Sequence, residues 1–249
     1  YLSSAVSELA ALEAAWHRAA EGGAHLVLVT GEPGVGNGSA ARTAGGASVD
    51  VAGVAGALKR RSVTSALISP FVDERPAATM AKDALRQIGV TPTYAERGMH
   101  GQLGDFSWVI LSPEAGAKGA ANSNDASITM LWQSSVFNLA TMADLGAAGQ
   151  DRLLGQNGSW LIAAARSRPL VLKVSHHGSA DQSSRFMSEL APDIALISVG
   201  KENSYGHPTS KTLKLLAGLG AKIFRTDESG AIAISLDGNQ LRASFRGQG

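Results

Sequence analysis

The 249-residue sequence predicts a mixed α/β sandwich, and three observations carry that expectation. The middle of the chain holds several short β runs separated by turn signals, as antiparallel strands require. The last third alternates apolar strands with helical segments, as β-α units require. Hydrophobic residues make up 44% of the chain and charged residues 17%, which supplies a core and excludes a disordered acidic or basic tail. Net charge is +1, so no global attraction to nucleic acid follows, although a local basic patch stays open. With no cysteine, disulfides, zinc ribbons and cysteine nucleophiles are excluded. No apolar run approaches the roughly 18–20 residues of a membrane span, and no signal peptide is seen. The chain begins at Tyr1 and reads as a soluble piece cut from something longer.

In chain order, Leu9, Leu12 and Trp16 fall at helical spacing in the alanine-rich segment 6–20, and Gly22-Gly23 ends that helix. Residues 25–30 follow as a short strand, and the small-residue stretch 31–56 reads as loop or linker. A strand is expected over 63–69 and a helix over 77–88, closed by Gly89. Strands are expected over 106–111, 127–133 and 136–140, with turns at Gly104-Asp105 and Ser134-Ser135. Residues 150–154 look helical, and 160–165 fit either class. Strand 170–174, helix 182–190, strand 194–199, helix 209–219, strand 222–226 and hairpin strand 231–235 complete the pattern, with Gly220 ending the last long helix. Trp108, Trp132 and Trp160 read as core, and Lys59-Arg60-Arg61 as a solvated helix end. His17, His25 and His100 have no ligand-spaced partner.

Two motifs carry chemistry. Gly31-Glu32-Pro33-Gly34-Val35-Gly36 follows a strand, where glycines let backbone N–H groups converge on phosphate. Residues 8–36 resemble the opening of the STAND-type P-loop ATPases. Asn37 stands at the lysine position, Gly38 at the hydroxyl position, Ser39 comes one residue late, and no lysine follows until Lys59. A structural loop is the stronger reading, with a nucleotide-binding module as the alternative.

The second motif is Val174-Ser175-His176-His177-Gly178-Ser179, two histidines directly after an apolar strand. Neutral imidazole suits zinc or manganese, and the glycine permits close backbone approach. Asn203, Ser204, Tyr205, Gly206, His207 and Pro208 form a second polar loop, and Asp144 and Asn124-Asp125-Ala126-Ser127 flank other strands. Polar groups at strand ends in successive β-α units tend to converge on one edge.

Together with Ile197-Ser198-Val199-Gly200 and Arg225-Thr226-Asp227, these residues make the stretch from about Val54 to Ile234 resemble the metallo-β-lactamase-like domain that ends the ComEC-type competence proteins. The resemblance implies a metallo-β-lactamase-like αββα sandwich with an incomplete or atypical N-terminal part. Three segments are expected: 1–36 P-loop-like, 37–53 a Gly/Ala-rich junction and 54–249 the sandwich. It implies a metal-dependent phosphodiesterase acting on DNA during uptake, in a domain outside the cytoplasm of a bacterial inner-membrane protein. Asp144 and one of His176 and His177 would bind zinc or manganese, with His207 as a further catalytic candidate. Asn124, Asp125, Ser127, Ser179 and Tyr205 would meet the substrate.

The sequence departs from that family where the metal motif His-x-His-x-Asp-His belongs. Those positions fall on Gly45, Ala47, Val49 and Asp50. A catalytic zinc needs about three protein ligands, and two-metal catalysis needs ligands for both ions. Weak or absent metal binding and little hydrolysis are therefore expected, and a non-catalytic scaffold with the hydrolase fold stays an alternative.

Overall fold

The computed structural model describes residues 26–29, 40–43, 46–49, 65–72, 76–201, 203–237 and 240–246. The expected helix 6–20, the glycine loop 31–36 and the cluster 59–61 lie outside the described residues. Strands β1 (Leu26–Val29), β2 (Ala40–Thr43), β3 (Gly46–Val49) and β4 (Leu67–Ile68) come first, then helix α1 (Pro76–Gln87) and β5 (Thr93–Tyr94). Strands β6 (His100–Leu103), β7 (Phe106–Ser112), β8 (Thr129–Gln133) and β9 (Asn138–Thr141) follow. Next come α2 (Ala147–Ala165), β10 (Leu170–Lys173), α3 (Ser184–Leu190), β11 (Ile194–Ile197), α4 (Ser210–Gly218) and β12 (Lys222–Arg225). A short α5 (Thr226–Ser229) leads into the hairpin β13 (Ala231–Asp237) and β14 (Gln240–Arg246).

A seven-stranded sheet has the order β12-β11-β10-β9-β8-β7-β6. Its β9 to β12 half is parallel and its β6 to β9 half antiparallel. A five-stranded sheet, β14-β13-β1-β2-β3, is antiparallel throughout. Strand β1 thus pairs with β13 from the far end of the chain, so this sheet runs across the expected segment boundaries.

The near-continuous apolar runs of β10 and β11 are explained by burial on both faces. Leu170, Leu172, Ala195 and Ile197 face one core, shared with Leu153 and Leu161 of α2, Phe186 of α3 and Leu216 of α4. Val171, Ile194 and Leu196 face the other, shared with Phe106, Trp132, Phe137 and with Ile232 and Ile234 of β13. The seven-stranded sheet is therefore a middle layer, with helices on one face and the second sheet on the other. Alternate residues along each strand divide between the two cores because the side-chain period is two.

Several expectations change. The stretch 31–56, expected as loop, contains β2 and β3, whose small side chains leave no apolar period for a sequence reading to detect. Strand 63–69 narrows to Leu67–Ile68, paired with β5, which the sequence did not suggest. Helix α2 spans 19 residues rather than 150–154, and includes the ambiguous 160–165. Its internal Gly155 and Gly158 weaken helical propensity and hide its length. Trp160 lies on α2 at 50% exposure rather than in the core, and β14 and β6 were not expected. Among the described residues no helix is long and apolar enough to cross a membrane.

Candidate functional site

Parallel strands send their C-terminal ends to one edge, and the register here is close. Lys173 pairs with Thr141 on one side and Leu196 on the other, and Ile197 pairs with Arg225. The segments that follow β9, β10 and β11 therefore start side by side. They carry Asp144, His176 and His177, and the 200–208 loop with Tyr205 and His207.

The histidine turn is tightly wound. His176 has φ 46° and ψ 49°, His177 φ 53° and ψ 23°, and Gly178 φ 81°. Each left-handed non-glycine residue costs about 1–2 kcal/mol, so the surroundings must over-determine this conformation. They do so through backbone-directed bonds. The His176 N–H donates to the Ala143 carbonyl at 2.9 Å, and the Ser175 hydroxyl donates to the Leu145 carbonyl at 2.7 Å. The Thr209 N–H donates to the Gly178 carbonyl at 2.9 Å. A Cβ on Gly178 would lie 2.6 Å from Pro208 Cβ, so only glycine fits between the two loops.

The rings converge as well. His176 and His177 centroids are 6.3 Å apart, and His176 meets His207 edge-on at 5.6 Å. Tyr205 lies nearly parallel to His207, 6.4 Å away and inclined by 21°. His177 Nδ1 is 2.7 Å from the Ser198 carbonyl oxygen, which can only accept, so Nδ1 carries the proton. Neutral His177 then presents an unprotonated Nε2. His207 Nδ1 is buried without a hydrogen-bond partner among the described residues. Burial holds the His207 pKa below the ordinary imidazole value, nearby His176 and His177 lower it further, and Asp144 opposes them. Asp144 is anchored through its N–H, which donates to the Ser127 hydroxyl at 3.2 Å.

Of the sequence candidates, the structure brings together Asp144, Ser127, His176, His177, His207 and Tyr205. Ser179 is buried, its hydroxyl accepting from the Asp181 N–H, so it braces the loop from within. Asp125 accepts from Arg152 at 3.1 Å and from the Ala121 N–H, beside a separate cleft of about 90 Å³ near the start of α2. The Asn124 carbonyl accepts from the Ser127 N–H, which shapes the turn that holds Asp144.

Several residues escaped the sequence reading. Gln150 donates to the Leu145 carbonyl at 2.7 Å and to Gln182 at 3.0 Å, and Gln182 donates to the Ser175 and Ser179 carbonyls. This fully buried pair ties the Asp144 loop to the histidine turn. A polar residue on the inner face of an otherwise apolar helix was the available signal for Gln150. Thr226 both donates to the Val199 carbonyl and accepts from the Val199 N–H, each at 2.8 Å, fixing the exit of β11.

The resemblance implies a divalent metal, and the donor set does not fit one well. Among the described residues no three His, Asp or Glu side chains are grouped to hold an ion. Ala47 and Val49, at two of the motif positions, lie in β3, and neither residue type offers a ligand.

No family model matches the sequence. The chain is 31% identical over 176 residues to ComE operon protein 3 of Bacillus subtilis (strain 168), covering 70% of this chain and 22% of that protein. It is 34% identical over 106 residues to competence protein ComA of Neisseria gonorrhoeae, covering 42% of this chain and 14% of that one. The chain thus spans about a fifth or less of the length of these relatives. A crystal structure of the metallo-β-lactamase fold protein YhfI from Bacillus subtilis superposes with a TM-score of 0.49 and 9% identity, over 89% of this chain and 100% of that one.

Proposed function

We propose, for a chain that is a ComEC-like domain of the metallo-β-lactamase-like type, that it binds the phosphodiester backbone of DNA and cleaves it weakly or not at all. One observation carries this reading: three histidines and Asp144 share the C-terminal edge of β9 to β11, while the ligand set for a metal pair is incomplete. The competence proteins it resembles support DNA as the polymer.

The chain's own groups suit binding. Imidazolium donates from both nitrogens, so a protonated His177 holds the Ser198 carbonyl through Nδ1 and offers Nε2–H to a phosphate oxygen. His176 stands beside it on the same turn. Asp144 favours the protonated ring nearby, which keeps positive charge at the edge. The Gly178–Pro208 contact brings the two loops close enough for one backbone to meet both.

The test is fluorescence anisotropy of a labelled oligonucleotide with the full chain in EDTA, alongside metal analysis and a nuclease assay with manganese. Binding is expected to persist in EDTA and to fall by about ten-fold or more in the His176→Ala/His177→Ala double variant. Little or no cleavage is expected. Two tightly held ions per chain, or manganese-dependent cleavage abolished by His176→Ala, would replace this reading with a working hydrolase. No DNA affinity in any condition would leave a scaffold.

A further inference from the structure

We infer that Tyr205 and His207 form a stacking platform for an unpaired base, so the strand that reaches this edge is single-stranded. The inference rests on the phosphodiester-binding reading and narrows it to one class of substrate.

Tyr205 is 71% exposed, an expensive position for a large aromatic ring that packs into neither core. It is nevertheless held in place from below. Its N–H donates to the Asn203 side-chain oxygen at 2.9 Å, and the Asn203 amide donates to the His207 carbonyl at 2.5 Å. Gly206, at φ 71°, makes the turn between the two rings. The result is a short ladder in which Tyr205 lies nearly parallel to His207 and His207 meets His176 edge-on. One end of the ladder is open to solvent and the other is at the candidate phosphate site.

The geometry selects among ligands. A flat aromatic ring with one open face gains from a second flat ring placed on it, and every base has such a face. In a duplex those faces are buried by stacking within the helix, and only groove edges and phosphates are presented. A base can lie on Tyr205 only if its strand is unpaired there. Its phosphate then falls toward His176 and His177.

The experiment uses the full chain in EDTA with three labelled probes of equal length: oligodeoxythymidine, its abasic counterpart, and a blunt duplex. Oligodeoxythymidine should bind more tightly than either of the others. Tyr205→Ala should weaken oligodeoxythymidine binding about ten-fold and leave duplex binding unchanged, while Tyr205→Phe and Tyr205→Trp retain wild-type affinity. Unfolding of Tyr205→Ala should match wild type because the ring is exposed, so a loss of affinity is not a loss of fold. Equal affinity for the base-bearing and abasic strands, or a loss in Tyr205→Phe equal to that in Tyr205→Ala, overturns the inference. If the double histidine variant loses all three probes and Tyr205→Ala loses none, stacking fails and the phosphodiester site stands. If no probe binds the wild-type chain, both readings fail.

Discussion

Substitution of Gly178 by alanine tests whether the histidine turn is held by the loop that follows β11. Two costs add. At φ 81° any L side chain meets its own backbone, a penalty of about 1–2 kcal/mol. The new methyl would also lie 2.6 Å from Pro208 Cβ, 3.2 Å from Pro208 Cα and 3.4 Å from Ile197 Cγ2. Ile197 belongs to the core and Pro208 Cα is backbone, so neither yields easily, and overpacking of this kind costs about 1–3 kcal/mol. The total is about 2–5 kcal/mol, or a fall in unfolding midpoint of roughly 5–15 °C for a chain of this size. Gly89→Ala is the matched control: its φ is 77° and nothing lies within 4 Å, so it carries the backbone penalty alone. Calorimetry or urea unfolding of both variants separates the terms. If Gly178→Ala is no more destabilised than Gly89→Ala, the two loops are not in the contact described.

Thr226→Val keeps the shape of a buried side chain but strips both partners from Val199, and should cost about 2–4 kcal/mol in urea unfolding. Because His207 has a folded-state pKa below 6.5, the unfolded chain binds its proton more readily; its stabilising contribution is complete above 6.5 and is lost as pH falls through the lower folded value. His207→Gln should flatten that part of the pH–stability profile, measured by unfolding in EDTA from about pH 7.5 to 5. EDTA itself should leave the unfolding midpoint unchanged within about 1 °C, whereas a tightly bound ion would stabilise in proportion to its affinity and be lost on chelation.

The parallel half of the large sheet was legible because Leu170–Lys173 and Ile194–Ile197 are uninterrupted apolar runs, each bounded by a polar loop and a capped helix. The caps themselves could be anticipated: Ser183 and Thr209 accept from the N–H groups of Phe186 and Thr212, as hydroxyl residues before helices do. Strands β2 and β3 were not legible. Their Ala, Gly and Ser content carries neither an apolar period nor a β-branched bias, and their pairing is made by backbone alone. The histidine doublet, His207 and Asp144 were found from loop positions at strand ends. Gln150, Gln182 and Thr226 were missed because they act through backbone carbonyl and N–H groups whose positions exist only once the chain has folded.

That division explains how a metal site's frame can outlast its ligands. If an ion had been the link between the β9 and β10 loops, removing its ligands would leave two left-handed histidines without support. Instead, Ala143 and Leu145 accept directly from His176 and Ser175, and the Gln150–Gln182 pair satisfies the carbonyls around them. Each of these bonds is buried or nearly so, where an unmade bond costs about 1–3 kcal/mol, so the frame is retained for stability whether or not catalysis is. The strained turn at His176-His177 is therefore evidence for the shape of the site. Hydrolysis would require a further imidazole set, and the positions where the family carries it hold Gly45, Ala47, Val49 and Asp50 in this chain.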